Sequence, residues 1–230
     1  MAEVRVGTSG WSYKEWVGAL YPAGTSSARM LTAYAERLPT VEAHNTFRRR
    51  PRPATLDGWA GAVPPAFRFA LKAHVAITHQ RELAGVEERI TSFFDGLSPL
   101  GEHVGPVLFQ LPHRDVDLER LDRLLAALPP APPAAFELGP AWNTPEVLDR
   151  LGAAGATLVI VDKDGDEPAL AEVGSIAYVR LRRDRYEDKA LARWASRLGD
   201  VARAGRPVFV YLRHEGDPLE AVRLLDAVRA

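Results

Sequence analysis

The sequence predicts an α/β protein, a single (β/α)8 barrel over residues 1–230. Three observations carry this expectation. Eight short runs rich in β-branched and aromatic residues recur along the 230 residues, and stretches with apolar residues at helical spacing separate them. No Gly-x-Gly-x-x-Gly turn follows any of the runs, which favours closure over an open dinucleotide-binding sheet. Strand and helix in alternation imply right-handed crossovers and a parallel sheet.

In chain order the strands read "VRVGTS", "TVEAHNTF", "FRFALKAH", "PVLFQLP", "AAFELG", "TLVIVD", "IAYVRLR" and "VFVYLRH". Amphipathic helices are expected at "SSARMLTAYAERL", "ERITSFFDGL", "LERLDRLLAAL", "TPEVLDRLGAAG" and "DPLEAVRLLDAVRA". Ser26 or Ser27, Asp117 and Thr144 are candidate N-caps, and Gly155 and Gly205 follow helix ends. The sixth unit is the weakest, since "EPALAEVG" leaves room only for a short helix. The proline-rich "LPPAPPAAF" reads as the turn into strand five.

Composition narrows the functional classes. A formal net charge of −1 speaks against a protein that coats nucleic acid broadly. The absence of cysteine excludes disulfides, thiolate-bound zinc and thiol catalysis. No charged-then-apolar leader precedes Val4 and no apolar run reaches membrane-spanning length, so a cytoplasmic protein without a membrane partner is expected.

In a (β/α)8 barrel the site lies at the C-terminal strand ends and the loops that follow. Period-two alternation aims Glu42 and His44, Lys72 and His74, Gln110, Glu137, Asp162, Arg180 and Arg182, and Tyr211 and Arg213 toward the axis. The opening loop "GTSGWSYKEW" lies on the same face, where Ser9, Trp11 and Tyr13 would line a ligand, with Trp11 at the rim. Gly7 and Gly10 would offer backbone N–H groups. The competing reading of the charged set is a salt-bridge plug, and that of Trp11 a packed lid.

Several of these stretches together resemble one known family. "GTSGWSYKEWVGALYP", "VEAHNTF", "FRFALKAH" with "ITHQREL", "GPVLFQLP", "FELGPAW" with "TPEVLDRL", "LVIVD" and "YVRLR" run in the order of the YecE-like family, domain of unknown function 72. The resemblance covers essentially the whole chain and implies a TIM barrel with a polar pocket, present as a monomer or weak oligomer. It places Glu42, Lys72, His79, Gln110, Glu137, Trp142, Asp162 and Arg180 at positions similar to the family's. The chain also departs from that pattern. Glu-x-Asn-Ser-Thr-Phe-Tyr becomes Glu42-Ala43-His44-Asn45-Thr46-Phe47-Arg48, and the block after Glu137 lacks an arginine. Arg-Leu-His-Gly becomes Arg180-Leu181-Arg182-Arg183, and Tyr-Phe-Asn-Asn becomes Tyr211-Leu212-Arg213-His214.

The expected function is binding of a small polar anion, phosphate- or carboxylate-bearing, at the barrel mouth, with acid–base chemistry of the hydrolase or isomerase/lyase kind. Glu42, Lys72, Glu137 and Asp162 are the catalytic candidates. Glu42 is the first choice of base, with Lys72 or Arg180 stabilising developing negative charge. Ser9, Trp11, Tyr13, His44, Asn45, His79, Gln110, Trp142, Arg180 and Arg213 are the substrate-binding candidates. A glycosidase is disfavoured, because strands four and seven end in Gln110 and Arg180 rather than acids. No cofactor is assigned. Glu42, Glu137, Asp162, His44, His74 and His79 offer donors to a divalent metal, but Lys72, Arg180 and Arg213 oppose a bare cation. Two alternatives stay open: a metal-dependent nuclease, whose Arg48, Arg49, Arg50 and Arg52 would track phosphates, and a ligand-binding barrel without catalysis.

Overall fold

In the computed structural model, which describes residues 2–80, 85–112 and 116–230, the β-branched run at the start of the chain forms β1 (Val4–Thr8). It is followed by β2 (Thr40–Ala43), β3 (Arg68–Lys72), β4 (Val104–Gln110), β5 (Ala134–Glu137), β6 (Thr157–Asp162), β7 (Ala177–Leu181) and β8 (Val208–Leu212). All ladders are parallel, in the order β1-β8-β7-β6-β5-β4-β3-β2. This is the predicted (β/α)8 barrel. Among the described residues no helix is long and apolar enough to cross a membrane.

The helices are α1 (Met30–Ala35), α2 (Asn45–Arg48), α3 (Pro53–Gly61), α4 (Val75–Thr78), α5 (Val86–Asp95), α6 (Leu118–Ala126), α7 (Pro145–Ala153), α8 (Asp188–Arg203) and α9 (Leu219–Arg229). The caps at Asp117 and Thr144 form as expected: Asp117 Oδ1 accepts from Arg120 N at 2.9 Å, and Thr144 Oγ1 from Val147 N at 3.4 Å. Gly155 and Gly205 take φ of 65° and 90° after their helices, where a side chain would be strained.

Three expectations are corrected. Strand two stops at Ala43, and His44 to Phe47 turn into α2, because His44 already has helical φ and ψ. The first helix starts as a 3-10 turn at Ser27–Arg29, without a side-chain cap from Ser26. No helix joins β6 to β7, where Pro168 and two glycines, Gly165 and Gly174, break "KDGDEPALAEVG". The "REL" end of "ITHQREL" lies outside the described residues.

Closure between β1 and β2 does not use a full ladder. A Cβ on Gly7 would sit 2.1 Å from the Thr40 carbonyl oxygen, so only glycine lets the two backbones approach. The Tyr34 hydroxyl, carried by α1, fills the gap. It accepts from Thr8 N at 2.8 Å and donates to Thr40 O at 2.9 Å. Above it Ser9 and Glu42 form a parallel bridge, and Gly10 N donates to Glu42 O at 2.9 Å.

Two apolar layers surround the sheet. Ala70, Leu108, Ala135, Val159, Tyr178, Phe209 and Tyr211 fill the barrel interior, small residues on one side against aromatics on the other. The alternate residues, including Val41, Phe69, Phe109, Phe136 and Val179, pack against the helices. Gly7→Ala should therefore force the β1–β2 seam apart and destabilise the protein by about 1–3 kcal/mol. The midpoint of denaturant unfolding measures it, and an unchanged midpoint would show that the seam relaxes freely.

Candidate functional site

Period two places Thr40 and Glu42 on the inner face of β2, Ala70 and Lys72 on that of β3, and Tyr178 and Arg180 on that of β7. The upper interior thus becomes polar. Glu42 lies at its centre with 0% exposure. Its Oε1 accepts from Ser9 Oγ at 2.7 Å, Arg180 at 3.0 Å and Arg182 at 2.9 Å, and lies 2.6 Å from His44 Nε2. Its Oε2 accepts from the Tyr178 hydroxyl at 2.7 Å. Glu137 accepts from Gln110 Nε2 at 2.7 Å and, through its other oxygen, from Arg180.

Electrostatics follow from this packing. Burial pushes the Glu42 carboxyl up, but Arg180, His44 and Arg182 together outweigh it and hold it well below the usual carboxylate range. Burial and then Arg180 push Lys72 down, against the pull of Glu42 and Glu137. Arg180 is raised, because the two glutamates outweigh its burial. The Lys72 ammonium rests on the Phe47 ring, 4.1 Å from its centre, and has no carboxylate partner among the described residues. A carboxylate spent on so many donors is suited to holding cations rather than to taking up a proton.

Glu42, Lys72, Gln110, Glu137 and Arg180 therefore converge, as their parity predicts, and Ser9 joins them from just beyond β1 and His44 from the start of α2. Asp162 does not. On β6 it is Val159 and Val161 that face the interior, so Asp162 points to the helix layer. There its carboxylate accepts from Arg183 Nε at 2.8 Å, the Tyr186 hydroxyl at 3.0 Å and Trp194 Nε1 at 3.2 Å. Glu137 and Asp162 thus lie on opposite faces of the sheet and cannot act on one substrate as a pair.

The opening loop is corrected too. Trp11, 7% exposed, is no pocket wall; it packs edge-on against Trp59 of α3, with ring centres 4.9 Å apart, and against Phe69 of β3. Gly10 is glycine because its φ is 84° and a Cβ would meet the Tyr13 hydroxyl, and its N–H is spent on Glu42 O. Tyr13 does stand near the mouth, its ring stacked on His214 at 4.6 Å and 10°. Burial, then Glu215, pushes its phenol up to about 12.

The other candidates scatter. Arg213 pairs with Asp184 and Glu215 at the rim, away from Glu42. His74 caps α4, its Nδ1 accepting from Ala76 N at 3.2 Å. His79 lies edge-on to Phe47, with Nδ1 2.8 Å from the Thr78 hydroxyl. Trp142 is buried in the helix layer, and Asn45 is exposed on α2. Arg182 reaches Glu42 from the inward face that the alternation assigns it, and Tyr178, on the same face two residues before Arg180, is the site residue that sequence reasoning passed over. Among the described residues no group of metal-ligating side chains could hold an ion.

Glu42→Gln removes the charge that two buried guanidinium groups face, and should cost about 3 kcal/mol or more. The carboxyl's folded pKa lies below its ordinary value of 4.5. The ion-pair stability is therefore present above that value and lost as pH falls through the folded pKa. Denaturant unfolding from neutral to acid pH should show the variant weaker at neutrality and converging on the wild type in acid. Equal stability at neutral pH would contradict the assigned role.

Comparison with known proteins agrees with this architecture. The family model described as protein of unknown function DUF72 matches residues 5–230. The UPF0759 protein YecE of Escherichia coli K12 is 30% identical over 109 residues, a stretch covering 47% of this chain and 38% of YecE. The UPF0759 protein YunF of Bacillus subtilis 168 is 30% identical over 115 residues, covering 47% of this chain and 40% of YunF. The matched region thus spans well under half the length of these curated relatives. A DUF72 family protein of Enterococcus faecalis V583 superposes with a TM-score of 0.82 at 22% identity, over 99% of this chain and 96% of that one. One from Thermotoga maritima MSB8 gives 0.78 at 22% identity, over 99% of each chain. These likenesses speak for a shared barrel, and the family match over residues 5–230 shows that the chain belongs to the DUF72 family.

Proposed function

We propose that the barrel mouth binds a small anion, a phosphate or carboxylate group, between Lys72 and Arg182 with Arg180 beneath. One observation carries the reading: the donors of the polar layer outnumber its acceptors. A single carboxylate oxygen presents about two lone pairs, yet four groups converge on Glu42 Oε1. Arg180 Nε has no partner among the described residues. Among the described residues, three cations, Lys72, Arg180 and Arg182, face two carboxylates, Glu42 and Glu137. A plug would end neutral; this set keeps a positive charge, and an anion would relieve the crowding on Oε1. The same excess opposes a divalent cation, since both carboxylates are already held by arginine. On this reading acid–base chemistry of the hydrolase or isomerase/lyase kind acts on a substrate anchored by its anionic group.

Calorimetry with inorganic phosphate, and separately with manganese and zinc, tests the proposal. Phosphate should bind, and Lys72→Met should weaken it about tenfold to a hundredfold, the worth of one charge-assisted hydrogen bond of about 1.5–3 kcal/mol. Stability should hardly change, because no carboxylate loses a partner. Asp162→Asn should do the reverse, lowering stability by about 1–3 kcal/mol and leaving phosphate affinity intact. Tight metal binding with no anion binding would overturn the assignment.

A further inference from the structure

One group in the polar layer is placed to do more than hold charge. His44 follows the last residue of β2 at the N-terminus of α2, and its ring makes no capping bond to that helix. The ring reaches down instead, with Nε2 2.6 Å from Glu42 Oε1. Glu42 is fully buried, whereas the His44 side chain is 35% exposed, so the pair runs from the barrel interior to solvent. A carboxylate held by arginines and Tyr178 accepts at Nε2, which leaves Nδ1 of the neutral ring as the lone-pair nitrogen. No described residue occupies Nδ1. His74 and His103 differ, their Nδ1 atoms engaging the Ala76 N–H and the Phe67 carbonyl. His214 differs in another way: the carboxylate beside its Nδ1, that of Glu215, is exposed rather than buried. Lys72 is near the same helix end, since Phe47, three residues after His44, carries its ammonium.

We infer that His44, oriented by Glu42, is the proton-transfer group of the mouth, acting on a hydroxyl or water beside the anion held by Lys72 and Arg182. The inference rests on the anion-binding reading above. In the step, the O–H bond breaks and its electron pair stays on oxygen. The Nδ1 lone pair forms the new N–H bond, and the imidazolium keeps its Nε2–H on Glu42. The resulting oxyanion lies beside the two cations, and reversal of the step returns the proton. Glu42 is the positioning residue, and the ligand class is a small carboxylate or phosphate with a neighbouring hydroxyl. The charged and titratable groups around His44 are Glu42 from β2, Lys72 from β3, Arg180 and Arg182 from β7 and its end, and Tyr13 and His214 from the loops after β1 and β8.

Calorimetry with sulfate, which keeps its charge near neutral pH, tests the proton. Titrations of the whole protein at pH 7 in buffers of different ionisation enthalpy count protons taken up per sulfate bound, independent of affinity. Wild-type protein should take up a substantial fraction of one proton, and His44→Asn none. His214→Gln, which removes the neighbouring ring, should retain the uptake. A second measurement reads the hydroxyl: glycolate should bind wild type about two- to tenfold more tightly than acetate, a preference absent in His44→Asn. Sulfate binding without proton uptake, uptake that persists in His44→Asn, or uptake lost in His214→Gln would each overturn the role of His44 while leaving anion binding standing. An equal glycolate preference in wild type and His44→Asn would do the same. Failure of wild type to bind any of these anions would remove the anion reading and this inference with it.

Discussion

A carboxylate with no solvent exposure needs its counter-charge and hydrogen bonds from the protein, and Glu42 draws them from strands that meet only when the barrel closes. Ser9 comes from the end of β1, Tyr178 and Arg180 from β7, and Arg182 from just beyond it. Arg180 then carries the connection across to Glu137 on β5, which holds Gln110 of β4. One ion network therefore ties five strands together above the apolar interior. Such a layer is not the cheapest way to fill a barrel, since well-packed apolar groups of equal volume often do as well. Once present, however, removal of one member strands the others in a low-dielectric interior, so the layer behaves as a unit.

The β1–β2 seam shows how local sequence serves that unit. Gly7 gives up a side chain so that Thr40 can approach, and the Tyr34 hydroxyl replaces ladder bonds the seam lacks. Those choices bring Ser9 level with Glu42. The small residues of the opening loop thus serve backbone approach, while its tryptophans pack into the core, with Trp11 between α3 and β3 and Trp16 against Tyr13 and Tyr21. The loop belongs to the site through Ser9 and Tyr13, and to the core through its tryptophans.

How far the sequence could be read follows from the same geometry. Alternation was decisive in β2, β3, β5 and β7, where a charged residue stands between apolar neighbours and only one face can accept it. In β6 the run "TLVIVD" is apolar on both faces, as parallel strands covered by helices usually are. Its phase was therefore invisible, and Asp162 went to the wrong side. What identifies its environment is non-local: Arg183 beyond β7, and Tyr186 and Trp194 on the way into and within α8. His44 illustrates the opposite case. It leaves the strand geometry that predicted an inward ring, yet reaches Glu42 from the start of α2. Arg213 kept its parity, but Asp184 and Glu215 drew it to the rim.

The charge balance of the layer is what the proposed anion binding rests on. Glu42 and Glu137 fix Arg180 and Arg182 in place, so these guanidinium groups would meet an incoming charge without reorganising. Lys72 is different in kind. It is held by an aromatic face and by the strand beneath it, and its ammonium is already partly desolvated. An ammonium in that state has lost hydration without gaining a carboxylate among the described residues, which is costly in a group that serves packing alone. On the proposed reading, the balancing negative charge comes from a ligand outside the chain. The ion network that secures the barrel would thereby also leave one cation ready for a ligand.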